Sequence, residues 1–431
     1  MNNSSIFSSV LGLALLLALV IAGAYFGAAL ISAFSLLLLL LCLSARLWSR
    51  SVLSKTSVVL CDGQTACHAG DSLTLRLSVR SRSLFPLIWL DVFLPFGHEP
   101  ILTRADGQPP APVEVPMEKP LYGLSERFAS LMWQQEITCE EELASLRRGV
   151  VRISRVSLQA GDGLGMAASQ RWAALDRPLT LSIYPRLMKV DVRPFTRMIS
   201  DAQTGPRGQM EDVTLLRSSR PYQYGDSFKR INWRHLAMTG RMETNQYEMI
   251  TPGCITFLLD LLSFRYMKTV VTRYDMRETL PFVHEESLEQ MISLVASCLH
   301  ALHEQGLRFA LIIPAFGQSE GVVCRPGSGE TALTACMEAL AALDYRGQDV
   351  RLPADELRRI RRELGVVHLC ALTDAPALSE SLEALSFQHL RALSCSRAQE
   401  GSPRAGELPC LLLSELTGEL PDSPPHKGGA A

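Results

Sequence analysis

The first 45 residues carry no charged side chain, and residues 10–48 are apolar almost throughout. As one helix this 39-residue run would be about 58 Å long, against a bilayer core of about 30 Å. One straight span does not fit, whereas two short ones do: residues 10–24 and 28–43, turned at Tyr25-Phe26-Gly27. Glycine permits the turn and the two aromatics suit a membrane interface. Arg46, Arg50 and Lys55 flank the exit, so the positive-inside rule keeps both ends and the bulk of the chain in the cytoplasm. The expectation is a two-span protein of the inner membrane. A cleaved signal peptide fits less well, because there is no basic n-region and the apolar run is too long. A single tilted span with external bulk is the other alternative.

Beyond residue 57 the period changes to two. In residues 71–80, Leu73, Leu75, Leu77 and Val79 alternate with Thr74, Arg76 and Ser78, which predicts a half-buried strand. A second run, residues 87–94, is fenced by Pro86 and Pro95, and residues 106–120 hold five prolines and read as a loop. Arg148-Gly149 opens another alternating strand, and residues 179–184 follow, ended by Pro185. Several strands without a strongly periodic helix predict a small β-sandwich over 57–186. Gly161-Asp162-Gly163-Leu164-Gly165, between two of these strands, reads as a β-turn, since a phosphate loop needs a helix directly after it.

From about residue 250 strands and helices alternate. Residues 254–260 form a buried strand ending on Asp260. In residues 287–305, Leu288, Met291, Ile292, Val295, Leu299 and Leu302 recur at three- and four-residue steps, with Ser287 and Gln290 as a capping box and Gly306 past the end. Strands are expected at 308–314, 365–372 and 388–395, and helices at 331–343, 353–364 and 378–385. The fold class is therefore α/β plus all-β: a transmembrane helical hairpin (1–48), the sandwich (57–186), a connector (187–253), an α/β domain with a mainly parallel sheet (254–400) and a flexible tail (401–431).

Composition narrows the chemistry. Forty-two Lys and Arg against 44 Asp and Glu leave a formal charge of −2, which gives no global field for nucleic acid, and none is expected as a partner. The eleven cysteines are odd in number, scattered and without a CxxC pair, so buried reduced thiols are expected rather than disulfides or zinc. No phosphate-binding GxxxxGK[ST], HExxH or GxSxG motif occurs, and His300 and His303, one helical step apart, lack a third ligand. The chain is expected not to be an enzyme and to need no cofactor.

Two carboxylates merit a metal reading. Asp260 and Asp374 both end predicted strands, where open α/β sheets bind ligands. A Mg²⁺ ion needs hard oxygen ligands, which a metal-ion-dependent adhesion site supplies as D-x-S-x-S plus a later Thr and Asp. Here Leu262 and Phe264 occupy both serine positions and Ser263 is one residue out of phase. A degenerate, metal-free crest is the preferred reading; a weak Mg²⁺ site at Asp260, Ser263 and Asp374 is the alternative.

The most distinctive segment is residues 217–247. From Arg186 to Arg241 there are eleven Lys/Arg and five Asp/Glu, and Arg220, Tyr222, Tyr224, Lys229, Arg230, Trp233 and Arg234 gather around a Gly225-Asp226 turn. Asp226 is placed to N-cap a short helix on which Arg230 and Trp233 share a face. Arg and Trp dominate protein interfaces, so Arg220, Tyr222, Gly225, Asp226, Arg230 and Trp233 are candidates either for knitting domains together or for docking a partner.

This segment resembles the signature of a bacterial family, the domain of unknown function 58, with the pattern R-x-Y-x-x-G-D-x-x-R-x-I-x-W-x-x-x-A-R-x-G-x-L. Arg220, Tyr222, Gly225, Asp226, Ile231, Trp233 and Gly240 fall in register, Lys229 stands at the pattern's second Arg with Arg230 beside it, Met242 stands at its Leu, and Met238 departs where the family has an Arg. The paired N-terminal spans, Arg148-Gly149, the Gly161–Gly165 turn, Tyr184-Pro185-Arg186 and Asp260 extend the likeness over nearly the whole chain. The resemblance implies a membrane-anchored β-sandwich followed by a von Willebrand factor A-like domain. It also implies partnership with a MoxR-type AAA+ ATPase, often alongside a transglutaminase-like membrane protein. The resulting expectation is a non-enzymatic membrane adaptor whose von Willebrand A-like domain docks that ATPase or a client. The alternative is a Mg²⁺-dependent receptor for a protein ligand.

Overall fold

The computed structural model describes residues 10–61, 65–83, 85–106, 110–113, 119–132, 134–161, 168–203, 210–250, 253–271, 277–316, 320–345, 350–361, 363–373, 377–378, 387, 389–396 and 409–417. The chain divides into two units, Met1–Tyr184 and Pro185–Ala431.

The first unit opens with two packed helices, α1 (Val10–Tyr25) and α2 (Ala29–Ser54). Gly27 turns the chain between them at φ +69°, and Gly23 lets α1 approach α2 closely, since a Cβ there would lie 3.0 Å from the Ser32 nitrogen. Among the described residues, only α2 is long and apolar enough to cross a membrane; α1, at 16 residues, falls short of the ~20 that a span needs. The second helix also does not stop at residue 43. It runs on past Arg46 and Arg50 because its last turns are held by the sheets beyond: Val52 and Leu53 enter the sandwich core, and the Ser49 and Ser169 hydroxyls lie 2.7 Å apart.

Ten strands follow: β1 (Thr56–Cys61), β2 (Ala66–His68), β3 (Ser72–Ser81), β4 (Trp89–Gly97), β5 (Leu102–Arg104), β6 (Ala111–Val113), β7 (Leu121–Phe128), β8 (Glu136–Ser145), β9 (Gly149–Gly161) and β10 (Ala168–Tyr184). They form a four-stranded sheet, β1-β3-β8-β5, and a six-stranded sheet, β2-β10-β9-β4-β7-β6. Alternation drives the packing: Leu73, Leu75, Leu77 and Val79 of one sheet share a core with Leu90, Val92, Leu94, Val151 and Ile153 of the other. Pro95 does not end β4, because a register shift between Pro95 and Gly97 absorbs its missing N–H. The glycine-rich turn at 162–165 lies outside the described residues.

The second unit begins with α3 (Arg193–Gln203), then β11 (Met210–Pro221), a 3₁₀ turn (Phe228–Arg230), α4 (Trp233–Thr239) and β12 (Glu243–Ile250). Next come β13 (Cys254–Leu259), β14 (Arg265–Val271), β15 (Arg277–Val283), α5 (Glu285–Glu304), β16 (Arg308–Ile313), β17 (Ala315–Phe316), β18 (Val322–Gly327) and α6 (Glu330–Ala342). The chain continues with β19 (Val350–Arg351), α7 (Ala354–Ile360), β20 (Val366–Thr373), β21 (Leu390–Ser396), β22 (Cys410–Leu412) and α8 (Leu413–Thr417).

Its main sheet has the order β18-β16-β13-β20-β21-β22, parallel except for β18. Numbered in chain order these six strands lie 3-2-1-4-5-6, the doubly wound arrangement whose order reverses between β13 and β20. Every side chain of β13 is buried, as a strand covered on both faces requires. One face packs Leu258, Ile312 and Leu369 against Leu357 and Ile360 of α7. On the other, Phe195 of α3 meets Phe257 and His368 with ring centroids 5.7 and 5.0 Å away.

Several local expectations shift. The connector's α3 belongs to the core of this unit. The expected tail contributes β22 to the sheet and α8, whose Leu416 is buried. Helix α5 starts two residues early, with His284 at its N-cap and Glu285 and Glu286 in its first turn, so Ser287 is not the cap. Gly306 does sit past its end at φ +67°. The helix at 353–364 shortens to α7, and Gly365 turns the chain at φ +63° into β20. Most of the helix expected at 378–385 lies outside the described residues.

Candidate functional site

At the switch point, β13 delivers Asp260 to the carboxyl edge of the sheet, fully buried. Its N–H donates to the Cys370 carbonyl (2.9 Å), which registers it beside β20. Its carboxylate accepts from the Leu378 N–H on Oδ2 (3.0 Å) and from the Ser263 N–H on Oδ1 (3.3 Å). The Ser263 hydroxyl donates to the Asp260 carbonyl (2.7 Å) and accepts from the Leu372 N–H (3.0 Å). Burial pushes the Asp260 carboxyl pKa up, against the backbone N–H groups of Leu378 and Ser263 that favour its charge.

The structure thus brings Asp260 and Ser263 together, but as a latch that ties the residues after β13 to the end of β20 and to Leu378. Leu262 and Phe264, at the two lost serine positions, pack inward, and Phe264 is fully buried. Asp374, the third candidate ligand, lies outside the described residues.

Directly beyond this latch the chain makes a two-stranded arm, β14 with β15, paired with Tyr266 opposite Phe282 and Lys268 opposite Leu280. Cross-strand partners share a face. Tyr266 and Phe282 stack at 5.9 Å, Tyr266 also meets the His284 ring at 4.4 Å, and Met267 and Leu280 are exposed. This arm lies outside the strands and helices expected from sequence, although its signal, apolar residues beside Tyr and Lys right after Asp260, is visible in residues 264–286.

The signature residues gather at the closed end of a second two-stranded ribbon, β11 with β12. Asp226 is its hub. Oδ1 accepts from Arg220 Nη2 (2.6 Å), and Oδ2 accepts from the Gln223 N–H (3.0 Å) and the Thr244 hydroxyl (3.2 Å). The Gln223 N–H and then the Arg220 guanidinium hold its carboxyl below the usual carboxylate range. Gly225 turns at φ +103° beside it, and Tyr222 stacks on Phe228 at 6.1 Å.

Asp226 is therefore not a helix cap. Ser227 precedes the 3₁₀ turn without a side-chain bond, and Asn232, which the sequence reading missed, caps α4 by accepting from the His235 N–H (3.0 Å). Nor do Arg230 and Trp233 share a helical face, because the chain leaves helical geometry at Ile231, which bridges to Thr244. Arg220 and Asp226 form the frame of this head, while Arg230 and Trp233 are exposed upon it.

A third cluster had no local sequence signal. Glu126 of β7 and Cys139 and Glu141 of β8 bring donor atoms within 4.8 Å of one another. The Arg104 guanidinium forms ion pairs with both Glu126 and Glu141, so a cationic side chain already pairs with both carboxylates. Burial and Glu141 push the Cys139 thiol pKa up. The ten cysteines with described side chains are free thiols.

No protein-family model matches the chain. It is similar to the uncharacterized protein YeaD of Bacillus subtilis (strain 168), 24% identical over 246 residues, 56% of this chain and 52% of that protein. The chain thus spans about half the length of the curated relative it matches. Among solved structures, the CARDB domain of PF1109 from Pyrococcus furiosus covers 28% of this chain and 86% of its own, with 9% identity and a TM-score of 0.17. A beta-glucosidase from Listeria innocua covers 28% and 16%, with 12% identity and a TM-score of 0.16. These scores are too low to carry fold or function across.

Proposed function

We propose that this chain is a non-enzymatic membrane adaptor of the domain-of-unknown-function 58 type. Its second unit, read as von Willebrand factor A-like, docks a MoxR-type AAA+ ATPase or a client on the cytoplasmic membrane face, with a transglutaminase-like membrane protein as a further associate. The observation that carries this reading is the carboxyl edge of the doubly wound sheet. There Asp260 is spent on backbone N–H groups, and the adjoining β14–β15 arm exposes Tyr266, Met267, Leu280 and Phe282. Such an edge offers apolar and aromatic surface to a macromolecule, and a lone two-stranded arm gains stability from a partner. The strand order and the antiparallel β18 support the von Willebrand A-like reading.

For the anchor, Leu11, Leu15 and Ile21 on α1 and Leu30, Phe34 and Leu37 on α2 are exposed, which supports a lipid-embedded pair with Arg46, Arg50 and Lys55 on the cytoplasmic side. The Mg²⁺-dependent receptor has less support, since both Asp260 oxygens already have donors.

Affinity capture with the tagged full chain from gently solubilised membranes tests the adaptor reading. Wild type should retain an AAA+ ATPase, and Met267→Asp with Leu280→Asp should lose it while keeping the same thermal transition. Capture unaffected by those two changes would refute docking at this edge.

A further inference from the structure

The ribbon head at residues 222–242 holds its shape by polar bonds turned on itself. Asp226 gathers Arg220, Gln223 and Thr244, Asn232 caps α4, and Gly240 returns the chain at φ +70°. Ile231 is buried and Tyr222 and Leu236 are half-buried, but five large apolar side chains point outward: Tyr224 (105% exposed), Met238 (77%), Phe228 (66%), Trp233 (58%) and Met242 (44%). Exposed apolar side chains this concentrated mark an interaction surface.

The charge around them has one sign. Lys229, Arg230, Arg234 and Arg241 are exposed, whereas the one acidic residue of the head, Asp226, is engaged by Arg220. Glu243, just beyond, lies 3.3 Å from His235.

We infer that this head inserts its aromatic and methionine side chains into an anionic lipid surface. Trp, Tyr and Phe with Lys and Arg are the mixture that settles at a membrane interface, rings at headgroup depth and cations among phosphates. Size favours lipid over protein: the head has 21 residues on all its sides, while a stable protein interface takes roughly 20–30 residues from one side alone. A lipid interface instead buries a small head by engulfing it. The same chain carries α2, long and apolar enough to cross a membrane, so lipid is present at high effective concentration. This contact is separate from ATPase docking at β14–β15, and either holds if the other fails.

The test uses the full chain in nanodiscs of phosphatidylcholine, alone or with one-third phosphatidylglycerol, with brominated acyl chains that quench nearby indoles. Subtracting the Trp233→Phe variant isolates Trp233 from the other four tryptophans. Trp233 should be quenched in the anionic discs and released in the neutral ones or at 0.5 M salt. Each basic side chain at such a surface contributes about fivefold in affinity, so Lys229→Gln with Arg234→Gln should weaken the contact about 25-fold with an unchanged circular dichroism spectrum. Absent quenching in anionic discs, equal quenching in neutral ones, or Trp233 protection arising only when an acidic soluble protein is added would overturn the inference.

Discussion

His368 sits at the centre of β20, fully buried between Phe195 and Phe257, and neither ring nitrogen completes a hydrogen bond of acceptable geometry. Burial, with a smaller push from Arg391, depresses its pKa to about 3, and a weak backbone contact at Val366 offsets this only partly. In the unfolded chain an imidazole titrates near 6.5. Between those values the unfolded state binds a proton that the folded state refuses, so stability is complete above pH 6.5 and is lost as pH falls toward 3. At pH 5 the loss is about 2 kcal/mol relative to pH 8, and it approaches about 5 kcal/mol near pH 3. Asp260 acts in the opposite sense, since its raised pKa makes its contribution largest in acid and smaller as pH rises.

Replacing His368 by Phe isolates the effect, because Asp260 is common to both proteins and cancels in their difference. Urea unfolding at pH 5, 6, 7 and 8, read by pulsed hydrogen exchange on peptides from β13 and β20, reports the α/β unit separately from the sandwich. The variant's advantage over wild type should grow by about 2 kcal/mol from pH 8 to pH 5. At pH 8 it should be at least as stable as wild type, since an apolar ring replaces one with an unpaired N–H. A difference flat to within about 0.5 kcal/mol over this range would mean that the ring is hydrated or hydrogen-bonded and the reasoning is wrong.

Asp226→Ala should lower the melting temperature of the second unit and Asp226→Asn less so, because Asn keeps an acceptor for Gln223; equal melting of all three proteins would remove Asp226 as the hub of the head. Its depressed pKa adds stability above about pH 4 that fades as acid protonates it, a slope that Asp226→Asn should abolish. Asp260→Ala should cost about 1–3 kcal/mol by stranding the Leu378 and Ser263 N–H groups. Calorimetry of the solubilised protein should show no Mg²⁺ site tighter than about millimolar; a micromolar site abolished by this substitution would restore the receptor reading. Gly365→Ala should cost about 2–4 kcal/mol, since φ is +63° and the new Cβ would lie 2.2 Å from the Cys254 carbonyl oxygen. Alkaline phosphatase fused after Ser57 should be inactive; periplasmic activity there would exclude the two-span anchor.

Period and local stops made much of the fold legible. The alternation of Leu73, Leu75, Leu77 and Val79, the heptad-like spacing in α5 with Gly306 behind it, and the largely apolar β13 running up to Asp260 act through neighbours a few residues away. Such information is carried in full by the chain itself. Which groups Asp260 would engage was not, because a carboxylate's partner depends on what folding brings beside it. Asp260 bonds to a backbone N–H 118 residues downstream, and that meeting exists only after β20 has paired with β13. The same holds for Arg104 entering the Glu126–Glu141 pair from another strand, and for β22 completing a sheet from a segment rich in proline. His368 shows the limit most plainly. In sequence it is one polar residue in an apolar strand, and only closure of α3 over the sheet, with Phe195 against its ring, shuts out the water that would have hydrated it.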